Sequence, residues 1–197
     1  LDGISINAGS NIIPMMQSFF VYTESYTTFN FTNSCRIEDP NIKGRFFKTN
    51  NFYPLVRLYM SGQGFGTECV IRLKEGATFN YDFSLDAKLL PNGNPNGIDF
   101  SSISNDNINL VINSLPDYTA NEQIPLHTLI GTPELYTIDL TEINNFPANT
   151  DIILHDSKLN LYHNLKNGAY SFFGDSLDVN RFYLTFQDLS VGLVEQI

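Results

Sequence analysis

The chain of 197 residues has no tryptophan, two cysteines, three methionines and three histidines. Each scarcity excludes something. Two cysteines cannot build a multi-bridge disulfide framework or a cysteine-rich zinc site. Cys35 and Cys69 leave two readings: a single bridge, or two buried thiols. Without tryptophan, the commonest sugar-stacking residue is missing, so any aromatic platform must use tyrosine; Tyr22, Tyr26, Tyr59, Tyr81 and Tyr118 are the candidates. Basic residues number 11 against 21 acidic ones, a formal charge of −10. Nucleic acid and anionic membrane surfaces both need basic patches, so neither is an expected partner. Long hydrophobic runs are missing too. The densest, Ile12 to Val21, falls short of the ~20 residues that a membrane helix needs, and it contains Pro14 and Gln17. It reads as a strand covered on both faces. No basic, apolar and small-residue leader pattern opens the sequence, so any signal peptide is expected to have been removed or to lie outside it.

What is present is β-forming. Phenylalanine (16) and tyrosine (10) are abundant, and both favour strands. Period-two alternation recurs in 28–32, 55–60, 69–73, 108–113, 136–140, 151–156, 169–173 and 181–186. It sets Cys69, Ile71 and Leu73 on one face, and Ile108, Leu110 and Ile112 inward. Glycine- and asparagine-rich punctuation separates these runs, as in Gly62-Gln63-Gly64-Phe65-Gly66 and Asn167-Gly168. No window carries a helical stripe; Asp156 to Leu165 reads as a turn-rich connection. The expected fold is all-β, an antiparallel, jelly-roll-like β-sandwich spanning 1–186 as one domain. Residues 187–197 are expected to form a tail or connector.

Catalytic patterns are scarce. His155-Asp156 places a base beside an orienting acid, but strand neighbours point to opposite faces. His127, His155 and His163 lack zinc-ligand spacing. The glycine cluster at 62–66 lacks the lysine and hydroxyl of a phosphate loop. Carboxylate pairs suitable for glycoside hydrolysis are uninformative among 21 acids. Calcium is the one cofactor with oxygen-rich loops to receive it, at Ser104-Asn105-Asp106-Asn107 and Gly174-Asp175-Ser176-Leu177-Asp178. Neither loop has the twelve-residue hand pattern. Asp86 and Lys88, within a largely apolar stretch, read as a partly buried structural ion pair.

A series of short motifs runs through the chain. It reads Ile13-Pro14-Met15-Met16-Gln17-Ser18-Phe19-Phe20-Val21, Phe31-Thr32-Asn33-Ser34-Cys35-Arg36, Phe46-Phe47 and Val56-Arg57-Leu58. Ala77-Thr78, Asp86-Ala87-Lys88-Leu89, Ile124-Pro125-Leu126 and Tyr136-Thr137-Ile138 follow. Leu154-His155-Asp156, Asn164-Leu165, Tyr170-Ser171-Phe172 and Arg181-Phe182-Tyr183-Leu184 complete it. The series resembles a β-rich module found near the C-terminal end of large exported proteins of Bacteroidota. Ser18 departs from that module's usual glycine. Cys35 stands where an apolar residue is usual, which favours the buried-thiol reading.

The resemblance implies export by the type IX secretion system; in that module a sorting domain usually follows the Arg-Phe-x-Leu strand, and here it is expected to be absent, cleaved or disordered. It implies an extracellular, cell-surface location, and it carries no catalytic residues to transfer. It also implies that Asp175-Ser176-Leu177 suits O-glycosylation at Ser176. The leading expectation is a non-catalytic structural or adhesive module of a surface or filament protein, acting through contacts with other subunits or domains. A glycan-binding module, with calcium assisting, is the alternative. A glycosidase or peptidase comes third.

Overall fold

The computed structural model describes residues 23, 25–35, 53–90, 93–116, 122–176, 178 and 180–188. The chain divides into two units, Leu1–Asn50 and Asn51–Ile197. In the first, the described stretch 25–35 is exposed and non-regular except for a 3-10 turn, Asn33–Cys35. The strand expected at 28–32 does not form there. Phe29 and Phe31 are exposed, and alternation without a neighbouring ladder does not make a strand. The strand expected at Ile12 to Val21 lies outside the described residues.

The second unit is built on one sheet of eleven strands. They are β1 (Leu55–Gly62), β2 (Phe65–Leu73), β3 (Ala87–Lys88), β4 (Ile98–Ile103), β5 (Asn109–Leu115) and β6 (Ile124–Ile130). Then come β7 (Glu134–Asn144), β8 (Thr150–Asp156), β9 (Leu161–Asn164), β10 (Tyr170–Gly174) and β11 (Phe182–Asp188). The order is β10-β7-β1-β2-β5-β4-β6-β11-β8-β9, with β3 pairing β5 off this path. The all-β expectation holds. Instead of two separate antiparallel sheets, however, there is one mixed sheet, nearly barrel-shaped. Its β2–β5 pair is parallel, from Val70↔Ile112 to Leu73↔Leu115. Residues 187 and 188, expected in a tail, belong to β11.

Local sequence accounts for much of the path. Gln63 (φ 56°) and Gly64 (φ 75°) take left-handed conformations in the β1–β2 hairpin, as a tight two-residue turn requires. A bulge opposite Arg57/Leu58 shifts the β1–β7 register and twists the strands. Inward residues from every long strand meet in one cluster. It includes Val56, Leu58, Met60, Ile71, Phe100, Leu126, Tyr136, Ile138, Leu154, Phe172, Phe182 and Phe186. Strands from both ends of the order share this core, so the sheet curls around it. The Tyr136 hydroxyl escapes the apolar interior by donating to the Thr132 carbonyl at 2.6 Å.

β5 departs from its expected facing. Leu110 is buried but outside the core cluster, on the face where Arg72 and Ser114 donate to the Leu85 carbonyl of the β2–β4 connection. Asn113 and Leu115 instead share register with Ile71 and Leu73 of the core. Both faces of the parallel pair are therefore covered, as parallel strands generally require. Arg72 helps to fasten that cover, donating to Ser114 Oγ at 2.8 Å and to the Leu85 carbonyl at 2.5 Å.

Gly131 follows β6 where the chain passes the 94–97 turn. A Cβ there would lie 2.2 Å from the Pro95 carbonyl oxygen and 2.6 Å from Asn96 Cα. Backbone cannot swing aside as a side chain can. Gly131→Ala is expected to destabilise by about 1–3 kcal/mol, read as a lowered urea midpoint with an unchanged slope.

Candidate functional site at the seam of the sheet

β10 and β9 end the strand order, and the chain joins them directly through a 3-10 turn, Leu165–Asn167. Asn164 caps that turn by accepting from the Lys166 N–H. The join brings Tyr170 of β10 close to His163 of β9, with ring centroids 5.5 Å apart. Across this seam lies a buried charged cluster.

Asp156 closes β8 with its side chain inward, in phase with Ile152 and Leu154. Arg181 directly precedes β11, whose Phe182 pairs with Asp156. Arg181 Nε donates to Asp156 Oδ1 at 2.8 Å and Nη2 to Oδ2 at 2.5 Å, a two-pronged bridge. Its Nη1 donates to Asp178 Oδ2 and to the Phe173 carbonyl, both at 3.0 Å. The guanidinium also lies over the rings of Phe172 (4.9 Å) and Phe182 (5.0 Å). Side chains of Arg181, Asp156 and Asp178 are 4%, 1% and 3% exposed.

The remaining acceptor capacity is filled. Asp156 also accepts from Tyr170 Oη at 2.7 Å and from the N–H groups of Lys158 and Leu159. Asp178 accepts from Lys158 Nζ at 2.7 Å and from the Asp175 N–H at 3.0 Å. Burial alone would raise both carboxyls. The bonds and charges of Arg181, with Tyr170 at Asp156 and Lys158 at Asp178, outweigh it and lower them below the usual aspartate value. Burial, then the Asp156 hydrogen bond and charge, push the Tyr170 phenol up to about 12. Such a saturated cluster holds geometry; its carboxylates are ionised and already committed.

Apolar side chains remain exposed along the two edges. Phe173 of β10 (62%) stands opposite Leu135 of β7 (60%). Around β9, Leu159, Leu161 and Tyr162 are exposed. On the outer face, His155 stacks on Tyr162 with centroids 4.3 Å apart and planes 3° from parallel, and Tyr183 lies 6.0 Å beyond.

The expected site residues are dispersed. Both cysteines are free thiols: Cys69 is buried and Cys35 exposed, so the buried-thiol reading fits Cys69 and not Cys35. Burial lifts the Cys69 thiol to about 12. Asp86 accepts from the N–H groups of Asp82 and Ser114, both at 2.7 Å. Lys88 lies over the Tyr81 ring at 4.4 Å. The structure thus gives Asp86 two backbone donors and Lys88 an aromatic face. In the first loop expected to receive calcium, Asp106 accepts from Ser104 Oγ and the Tyr81 N–H. In the second, Asp175 and Asp178 face Lys158 and Arg181. Among the described residues, no group of three or more His, Cys, Asp or Glu is placed to hold a metal.

Ser176 sits exposed in the turn after β10. Of the tyrosines read as platforms, Tyr26 is exposed, Tyr59 is partly so, and Tyr22 and Tyr118 lie outside the described residues. Sequence reasoning missed the Asp156–Arg181–Asp178 cluster. The available signal was Asp156 standing in the inward phase of its own strand.

A protein-family model described as "Domain of unknown function (DUF8693)" matches residues 3–186. No curated protein and no solved structure matches the chain.

Arg181→Ala would strand two buried carboxylates, so a loss of about 3–5 kcal/mol is expected in urea titration. Because both aspartates are lowered, their stabilisation is present above the ordinary carboxylate pKa and lost as pH falls through the folded values. The wild type should therefore lose melting temperature below roughly pH 4, and more steeply than Asp156→Asn. At the alkaline end the sign reverses. Tyr170 is raised, so its contribution is present below the free tyrosine value and lost as pH rises through about 12. Ultraviolet titration should show a late phenol near 12 that is lost in Tyr170→Phe, while Tyr136, also raised by burial, remains.

Proposed function

We propose that this chain, which belongs to that domain family of unknown function, is a non-catalytic structural or adhesive module working through protein contacts at the seam. One observation carries the reading. The Phe173–Leu135 pair is exposed on an edge strand and its neighbour, while the charged cluster beneath fastens that edge. Exposed apolar side chains on a rigid sheet edge suit association with another sheet edge. The occupant we assign is a sister copy or sister subunit of the same assembly. The acidic balance suits a surface that must resist non-specific adhesion, and export to a cell surface or filament is part of the same proposal. So is the jelly-roll-like sandwich as the parent of this curled sheet.

A second reading, glycan binding, is favoured by the Tyr162–His155–Tyr183 row, whose outermost ring is 62% exposed. A ring face open to solvent can stack on a sugar.

Sedimentation over a wide concentration range separates the two. Wild type should self-associate, and the Phe173→Glu/Leu135→Glu double variant should stay monomeric. Exposed changes usually shift stability by only about 0.5 kcal/mol, so its melting curve should be nearly unmoved. Monomer at every concentration, together with glycan-array binding lost in Tyr162→Ala, would replace the first reading with the second.

A further inference from the structure

A cavity of about 30 Å³ lies where β4 and β5 end and β6 begins. Its wall is largely apolar, with Phe79, Ile103, Leu115, Ile124 and Phe186. Asn113 also lines it, and Asn113 is 1% exposed. Both its Nδ2 and its Oδ1 are buried without a hydrogen-bond partner. The parallel register sets Asn113 beside Ile71, on the core side of the sheet. Glu122 and Gln123, both exposed, stand on the same lining and open it to solvent.

An unpaired buried amide is unfavourable where a leucine would fit. Here donor and acceptor are adjacent, coplanar and both free to bond. We propose that the cavity binds a primary carboxamide, from the Asn or Gln side chain of a peptide or from a small free amide. Nδ2 donates to the ligand's carbonyl, and the ligand's syn N–H donates to Oδ1. The ligand's alkyl stem lies on the phenylalanine and aliphatic wall. A carboxylate has no N–H for Oδ1 and brings a negative charge beside Glu122. A trans secondary amide holds N–H and C=O on opposite sides and makes one of the two bonds. The volume restricts the inserted group to a few heavy atoms. None of the seam residues takes part, so this site stands apart from the proposed association surface.

The test is a ¹⁵N resonance titration of the whole chain with acetamide, acetate, N-methylacetamide and an end-blocked Gly-Gln-Gly peptide. Acetamide should move the Asn113 side-chain signals saturably. Acetate and N-methylacetamide should be weaker by at least about tenfold, having lost a bond and left a buried group unpaired. A matching shift with the peptide assigns the source as a side chain; a response to acetamide alone assigns a small molecule. Asn113→Leu, checked for fold by circular dichroism, should abolish the response. Static Asn113 signals in the wild type overturn the proposal, whether or not the variant folds. So do acetamide-soaked crystals in which water alone occupies both amide atoms.

Discussion

A guanidinium buried against the core must have its N–H groups directed at acceptors, and in this fold Arg181 imposes that demand on two strands and a loop. Asp156 comes from β8, the Phe173 carbonyl from β10, and Asp178 from the loop that leads to Arg181 itself. Satisfying them requires the two ends of the strand order to approach. The curl of the sheet and the pairing of these charges are therefore one constraint seen twice. Replacing such a cluster with apolar residues is often neutral or stabilising. Its contribution here is geometric: it sets where β10 sits relative to β8 and β11, and with it where Phe173 is displayed.

The opposite side of the barrel-like sheet is organised differently. The parallel β2–β5 pair is shielded on its outer side by the β2–β4 connection, with Asp86 and Arg72 binding backbone and hydroxyl groups across the layers. These side chains do for that layer what Arg181 does for the seam: they answer polar groups that burial would otherwise leave unpaired. Asn113 departs from this accounting, as do Ser101, Thr150 and His155, and Asn113 borders a cavity. The fold thus separates two kinds of surface feature, an apolar edge held by saturated charges and a small opening that retains an unsaturated amide.

Much of the strand inventory was readable. Alternation at 55–60, 136–140, 151–156 and 181–186 matches β1, β7, β8 and β11, because a half-covered sheet face enforces period two. The hairpin at 62–66 was readable because Gly64 and its neighbour supply the required positive φ. β4 and β9 were not. Ile98–Ile103 is buried on both faces with serines among its buried residues, so its pattern carries no contrast. Leu161–Asn164 is a four-residue edge strand following a turn, too short to show a period. Facing failed at β5, where an outer cover buries Leu110 and the core receives Asn113.

By itself the sequence determined that this is a β protein, that its surface is acidic, and roughly where most long strands run. Those properties follow from local chemistry: side-chain branching, alternation and turn residues act within a few positions. Only the tertiary structure decided that β2 and β5 run parallel, that Asp156 meets Arg181, and that Asn113 faces inward. The Asp156–Arg181 pair spans 25 residues, and the β2–β5 register joins Val70 to Ile112. No local pattern encodes such meetings. They are set by which strand ends the curled sheet brings together, and by the cost of leaving buried charges such as Asp156 and Arg181 unpaired.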